Sequence, residues 1–389
     1  MLNLEAIRPS YMEVDIDKIL YNMKILKERL GKETKLMAIV KGDFYGLGIK
    51  GTLKYLEEGA DSYGVAMLSE AIELRRLGTN KDILILGYTP PYQYKYLLEY
   101  EIIPTMYDLN EAKELSELAL KEGKKAKIHI KVDTGMTRLG FDTSDESVDI
   151  VEEISKLEGI EIDGIFSHFT SSEEIDKEKT HIQGKMFFDF CDKLESRGVK
   201  LGDKHISNSG AVIDLPEYKS DLVRNGYNLT GLYDPTIHYE NLPIKLTCRL
   251  RSIIARVRTV PKGTGVGYNT TFVTEKEETK IATIPLGYTD GYKKLLSNKG
   301  EVLINGKRAP IRGSICMDQF MVEVTDIDCK VGDEVVLFGY KEENGPTMLE
   351  ISELLNTGNI DIISTISRRI PRVYKKDGEI VDIVDYILD

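Results

Sequence analysis

Apolar and polar positions follow two textures along this chain, and the change falls near residue 243. Up to about residue 233, eight short apolar or β-branched runs recur, at 36–40, 62–67, 82–86, 102–106, 127–132, 162–168, 204–208 and 222–232. Most are followed by a stretch patterned for a helix. One of these, 108–122, opens with Asp108-x-x-Glu111, a pair that satisfies free amides reciprocally, and Gly123 closes it. Eight β-then-α units over about 220 residues predict a (β/α)8 TIM-type barrel. A doubly wound sheet uses similar units, but no Gly-x-Gly-x-x-Gly follows an early strand, so the barrel is preferred. Beyond 243 the helical period fades into short alternating strands. Asn305-Gly306 predicts a tight turn between 302–304 and 308–311, the run 330–339 reads as a strand opening from a turn, and 349–355 reads as a helix. The expected division is a barrel domain over 1–242 and a mainly β domain over 243–389. The tyrosine-rich stretch 88–100 reads as a barrel-rim loop and helix.

Composition narrows the class. The 389 residues are too many for one ordinary core, and 41% hydrophobic with 30% charged residues describes a soluble globular protein. Apolar runs fall short of a membrane span and no signal-peptide core opens the chain, so a cytoplasmic enzyme is expected. The net charge of −12 argues against a nucleic-acid surface. Its acidic residues are spread along helix-like stretches, as on solvated faces. Cys191, Cys248, Cys316 and Cys329 show neither CxxC spacing nor a nearby histidine, so they read as reduced thiols and no metal site is expected. Cys191, directly after Phe187-Phe188-Asp189-Phe190, reads as core.

Chemistry collects where the predicted strands end, since barrel active sites form at the C-terminal face. Lys41 follows the apolar run Leu36-Met-Ala-Ile-Val40 and precedes Gly42-Asp43-Phe44-Tyr45-Gly46. A poorly solvated lysine there can act as an amine nucleophile or base; an ordinary one, of pKa near 10.4, is only about a thousandth neutral at pH 7. Lys131 and Arg138 flank Val132-Asp-Thr-Gly-Met-Thr at the fifth end, His168 stands at the sixth, Asn208-Ser209 at the seventh, and Arg224-Asn-Gly226-Tyr227 at the eighth. Amides near Gly226 with the Ser209 and Tyr45 hydroxyls suit one phosphate, and a lysine beside a single-phosphate site suggests pyridoxal 5'-phosphate. Each residue has a plainer reading. Lys41 snorkels, Ser209 caps a helix, Arg224 forms a surface ion pair, His168 is a packed imidazole and Asn208 serves a turn. Their joint placement at five strand ends is what those readings leave unexplained.

Over nearly its whole length the chain resembles the alanine racemase family. The resemblance is carried by Ala38-Ile-Val-Lys41-Gly-Asp-Phe-Tyr45-Gly, Val132-Asp-Thr-Gly-Met-Thr-Arg138-Leu-Gly, His168-Phe and His205-Ile-Ser-Asn208-Ser209. It continues through Val223-Arg224-Asn-Gly226, Val266-Gly-Tyr268, Gly287-Tyr288-Thr-Asp290-Gly, Ile315-Cys-Met317-Asp318-Gln and Arg369-Ile-Pro-Arg372-Val. It implies a barrel with a C-terminal β domain, pyridoxal phosphate on Lys41, and L-alanine/D-alanine interconversion for peptidoglycan. Two bases are implied, Lys41 on the D side and Tyr268 on the L side. Lowering a phenol from pKa 10 to 7 takes about 4 kcal/mol, which Arg138, Arg224 and His168 are placed to supply. Without the resemblance Tyr268 reads as an aromatic packed beside hairpin glycines. The family also implies that Tyr45, His168, Asn208, Ser209, Arg224, Gly226 and Tyr227 bind the cofactor, with Arg224 facing the pyridine nitrogen. It further implies that Arg138 and Met317 bind substrate, that Lys131 matches a lysine carbamylated in relatives, and that Tyr288 and Asp318 shape the entrance. Tyr268 and Cys316-Met317-Asp318 would complete the neighbour's site, so a homodimer with shared active sites is implied.

Departures from the family pattern bear on selectivity. Arg368 stands where relatives commonly carry a tyrosine against cofactor phosphate, Ser314 and Lys294 replace arginines, and Asp43 replaces an asparagine. Arg368 is expected to bind phosphate itself and to shape the pocket. Competing expectations are a racemase of serine or of a broader amino-acid range, a fold-related decarboxylase, and a non-enzymatic pyridoxal-phosphate-binding protein. The decarboxylase typically carries a Cys-Asp pair and a glycine-rich phosphate loop, neither of which this chain shows in convincing form, and the third lacks a β domain altogether.

Overall fold

The computed structural model describes residues 3–232 and 242–388, and the residues between 233 and 241 lie outside the description. Two units form. One holds the residues up to Ile19, Tyr45–Thr52 and the chain from Lys245 onward; the other holds Leu20–Phe44 and Leu53–Ile244. The sequence reading placed everything before 243 with the barrel. For the residues up to Ile19 the difference comes from an unanticipated strand, β1 (Tyr11–Asp15), which pairs within the C-terminal sheet.

The barrel unit is built from eight parallel strands: β2 (Lys35–Ile39), β3 (Ser62–Val65), β4 (Ile83–Ile85), β5 (Ile103–Met106), β6 (Ala126–Lys131), β7 (Ile160–Phe166), β8 (Asp203–His205) and β9 (Leu222–Asn225). They run in the order β8-β7-β6-β5-β4-β3-β2-β9, a nearly closed barrel. Across the remaining gap the Arg224 amide donates to the Ser207 carbonyl at 3.1 Å. All eight expected runs therefore hold strands, and the fold class is a (β/α)8 barrel. Helices cover it through apolar stripes at three- and four-residue spacing. Leu109–Lys121 buries Ala112, Leu115 and Ala119, and Asp145–Ser155 buries Val148, Val151 and Ile154. Full burial of each such leucine or valine is worth about 1.5–3 kcal/mol.

Local chemistry at Leu109–Lys121 differs in one detail from expectation. Asp108 accepts from the Asn110 and Glu111 amides at 2.8 and 3.0 Å, and Gly123 ends the helix at φ 67°. The reciprocal half of the box does not form, because Glu111 turns its carboxylate to the Tyr88 hydroxyl. The stretch around Tyr88 is the rim loop and helix expected, the helix being Tyr94–Tyr100. The pairing of β6 with β7 slips between Ile128 and His129, so Asp163 is an extra residue in β7.

The other unit centres on a seven-stranded sheet in which β1 lies between β10 (Cys248–Ile253) and a late strand, Arg372–Lys376. β1 runs antiparallel to the former and parallel to the latter. Asn305 and Gly306, both at positive φ (48° and 75°), make the expected hairpin turn between Glu301–Ile304 and Lys307–Pro310. The late helix spans Met348–Leu355, with a second short one, Asn359–Ile363, beyond the reading. Among the described residues no helix is long and apolar enough to cross a membrane, and no cluster of three or more His, Cys, Asp or Glu side chains could hold a metal.

Candidate active site

Lys41 follows the buried end of β2 and opens a turn of reversed hand. Gly42, Asp43, Phe44 and Tyr45 have φ of 63°, 57°, 52° and 52°. Left-handed backbone costs roughly 1–2 kcal/mol per non-glycine residue, so the turn needs outside support. Phe44 supplies some: it is buried, and its amide donates to the Val40 carbonyl at 2.8 Å. Glu70 supplies more. One carboxylate oxygen accepts from the Gly42 amide at 2.7 Å and the other from the Ala66 amide at 2.8 Å, tying the ends of β2 and β3 together. Sequence reading missed Glu70. Its only signal is a carboxylate one turn into a helix whose N-cap, Met67, has no capping side chain.

Electrostatics around Lys41 are strongly positive. Desolvation, then the charges of Arg138 and Arg224, lower its pKa from the ordinary value, against the raising influence of Glu70. Lys131 is buried and donates to the Val132 carbonyl at 2.6 Å. Burial, with Arg224 and Arg138 nearby, brings it down to about 7. Arg138 is exposed in the loop that follows β6.

Arg224 is 4% exposed, which removes the surface-ion-pair reading. Its Nη1 donates to His205 Nδ1 at 2.8 Å and to the His205 carbonyl at 3.0 Å. Its Nη2 donates to the Ser167 carbonyl (2.7 Å), His168 Nδ1 (3.0 Å) and the Ile206 carbonyl (3.1 Å). Phe166 stacks on His205, centroids 4.9 Å apart and planes 4° off parallel. His168 is held well below the usual histidine range by burial and then by Arg224.

A second feature of the barrel unit suits an anion. The Ser209 hydroxyl accepts from the Gly226 amide at 3.4 Å, and the Asn228 side chain donates to the Ser209 carbonyl at 3.0 Å. Asn208, not Ser209, caps the helix Ser209–Asp214, its Oδ1 accepting from the Ala211 amide at 3.0 Å and from the Ser172 hydroxyl at 2.8 Å. Tyr227 lies half-buried beside Gly226. The barrel unit thus gathers Lys41, Lys131, Arg138, His168, Asn208, Ser209, Arg224, Gly226 and Tyr227. Tyr45 belongs to the other unit, and burial pushes its phenol up. Amine, guanidinium, hydroxyl and amide donors together fit a group bearing an aldehyde and a phosphate.

The remaining candidates share the C-terminal unit. Tyr268 is 69% exposed between the short strands Gly265–Val266 and Phe272–Val273, so the packed-aromatic reading fails. The Tyr288 and Thr289 amides donate to the Cys316 and Met317 carbonyls at 3.1 Å each, which sets two of the family-like motifs side by side. Gly287 is required there, because an added Cβ would fall 2.2 Å from the Met317 carbonyl oxygen. Met317 and Tyr288 are exposed, and Asp318 accepts from Arg369 at 2.8 Å. Arg368 lies over the Tyr386 ring, 4.5 Å from its centroid.

Comparison with known proteins places this arrangement. Residues 14–234 match the family described as alanine racemase, N-terminal domain, and residues 247–374 match alanine racemase, C-terminal domain. The alanine racemase of Clostridium perfringens is 45% identical over 389 residues, covering 98% of this chain and 99% of that one. A solved alanine racemase from Clostridium difficile superposes with a TM-score of 0.94 at 38% identity, covering 97% of this chain and 99% of that chain. The Bartonella henselae alanine racemase, solved with covalently bound pyridoxal phosphate, gives 0.84 at 28% identity, covering 94% and 99%. Fold and site therefore define a pyridoxal-phosphate-dependent isomerase of the barrel-plus-β class. The chain belongs to the alanine racemase family.

Proposed function

We propose that this protein interconverts L-alanine and D-alanine by a two-base mechanism, in the cytoplasm, and so supplies D-alanine for peptidoglycan. One observation carries the reading: the Lys41 amine, its pKa lowered, sits in the field of Arg138 and Arg224 at the end of the first barrel strand. Bound pyridoxal phosphate would acidify the substrate Cα proton by delocalising the charge left behind. Lys41 would hold the cofactor and move the proton on one face. Tyr268 of the partner subunit would move it on the other, its exposure leaving the phenol free to reach a neighbouring site. Arg138 would bind the substrate carboxylate, with Met317 of the partner subunit beside it. Arg224, a permanent cation, would face the ring nitrogen and keep it unprotonated. Tyr45, His168, Asn208, Ser209, Gly226 and Tyr227 would position ring and phosphate, while Tyr288 and Asp318 would shape the entrance. An amine with a pKa near 7 is reactive towards carbon dioxide, which supports a carbamate on Lys131. Arg368 would shape the pocket from its place over Tyr386.

Incubating the enzyme with L-alanine in deuterium oxide is expected to give D-alanine labelled at Cα, and borohydride is expected to trap the cofactor on Lys41. Carbon dioxide release without D-alanine would replace the reading with a decarboxylase. A panel of L-amino acids with chiral product analysis is expected to show alanine turned over fastest; faster turnover of serine would shift the assignment to the broader racemase.

A further inference from the structure

Below the residues that face the barrel mouth, a chain of polar groups continues past Arg224 through two buried imidazoles to the partly exposed Asp163. His205 Nε2 lies 2.9 Å from His129 Nδ1, and His129 Nε2 lies 3.6 Å from Asp163 Oδ2. His129 is on β6 and His205 on β8. Gly164 of β7, between them, leaves the room, because a Cβ there would fall 2.6 Å from the His129 ring. The extra residue in β7 is Asp163 itself, as expected where a bulge re-aims a side chain.

Donor chemistry gives this chain one direction. A guanidinium can only donate, so His205 Nδ1 must accept and its proton lies on Nε2. That N–H can only be donated to His129 Nδ1, so His129 also carries its proton on Nε2, facing the Asp163 carboxylate. On the other branch Arg224 donates to His168 Nδ1, which leaves the His168 proton on Nε2 as well. Every hydrogen bond from Arg224 downward therefore points towards one negative charge. Burial and Arg224 keep His205 well below the usual histidine range, so the ring stays neutral. His129 and Lys127 hold Asp163 ionised, at about 2.

We propose that Asp163 and His129 are positioning residues for Arg224: by fixing the tautomer of His205 they orient its guanidinium and, through it, the His168 ring. A buried cation is unfavourable unless paired, and no carboxylate touches Arg224 among the described residues. The two polarised imidazoles bring the Asp163 charge to it indirectly.

The chain has five histidines, few enough for each side-chain 15N pair to be assigned in the purified full-length protein. Exposed His181, bonded to the Tyr218 hydroxyl at 2.9 Å, serves as the internal control. In the unsubstituted protein His129, His205 and His168 are all expected as neutral Nε2–H tautomers; an Nδ1–H signal from any of them overturns the proposal. In Asp163→Asn and His129→Phe, the His205 and His168 resonances are expected to move while His181 stays. A lowered melting temperature with both resonances unmoved would mean a merely structural role, and would overturn it. The kinetic arm rests on the reading of Arg224 given above. There kcat is expected to fall about 10-fold with KM changed less than about 2-fold, as when an outer partner that orients a histidine is removed. Unchanged kcat overturns transmission to the site. If alanine is not the substrate, the tautomer measurement still decides the geometry.

Discussion

Lys131 illustrates how a single residue's chemistry depends on its surroundings. Its folded pKa, about 7, lies below the unfolded value, so between pH 7 and about 10.4 the unfolded chain binds the extra proton. Stability contributed by this site is therefore lowest below pH 7 and recovers as pH rises to about 10.4. In buffer free of carbon dioxide, Lys131→Met is expected to resist urea better than the unsubstituted protein at pH 6, by a few kcal/mol, with the gap closing towards pH 10. A gap independent of pH would place the amine in a wetter environment than the one described. At Tyr268 the expectation is kinetic: Tyr268→Phe should slow proton removal from L-alanine far more than from D-alanine, read from deuterium incorporation in the two directions. Lys41, Lys131, Arg138, His168 and Arg224 were visible in sequence because each is a reactive side chain at a strand end. Glu70, His129 and Asp163 were not, since their importance lies in which amides and rings they meet.

Among elements, the reversed turn after Lys41 and the helix Leu109–Lys121 make a useful contrast. No atom within 4 Å would meet a Cβ on Gly42, so Gly42→Ala tests backbone strain alone. It is expected to cost about 1 kcal/mol in denaturant unfolding and to weaken retention of the aldehyde cofactor, because Lys41 opens that turn. Asp108→Ala removes a helix cap at a distance from Lys41 along the chain, and is expected to cost about 1 kcal/mol with turnover unchanged. Should the second variant lose turnover as well, the helix would be acting on the site and not only on stability. Periodicity made the helix and the eight strands legible. It made β1 invisible, because five residues flanking a long helix pattern give little period to read, and the partners of β1 lie more than 200 residues away.

For the whole molecule, the candidate residues divide between two units, Lys41 and its cationic surroundings in one and Tyr268 with Met317 in the other. If sites are shared between subunits, mixing inactive Lys41→Ala and Tyr268→Phe proteins after subunit exchange is expected to restore about one quarter of normal activity, since half the dimers would carry one intact site. Exchange without recovery would place both bases on one subunit. Arg368 belongs to this scale too: its seat over Tyr386 joins residues the chain order separates.

Patterning and motif chemistry alone determined the barrel, the β-rich second half, the lysine and the set of strand-end residues. These follow from local periods and from residue types, both of which are written along the chain. Tertiary structure decided which strand joined which sheet, the reversed hand of the turn at Lys41, the clamp by Glu70 and the direction of the Arg224–His205–His129–Asp163 chain. These depend on closures across tens to hundreds of residues, where a slipped register or one missing side chain at Gly164 changes what each group can touch.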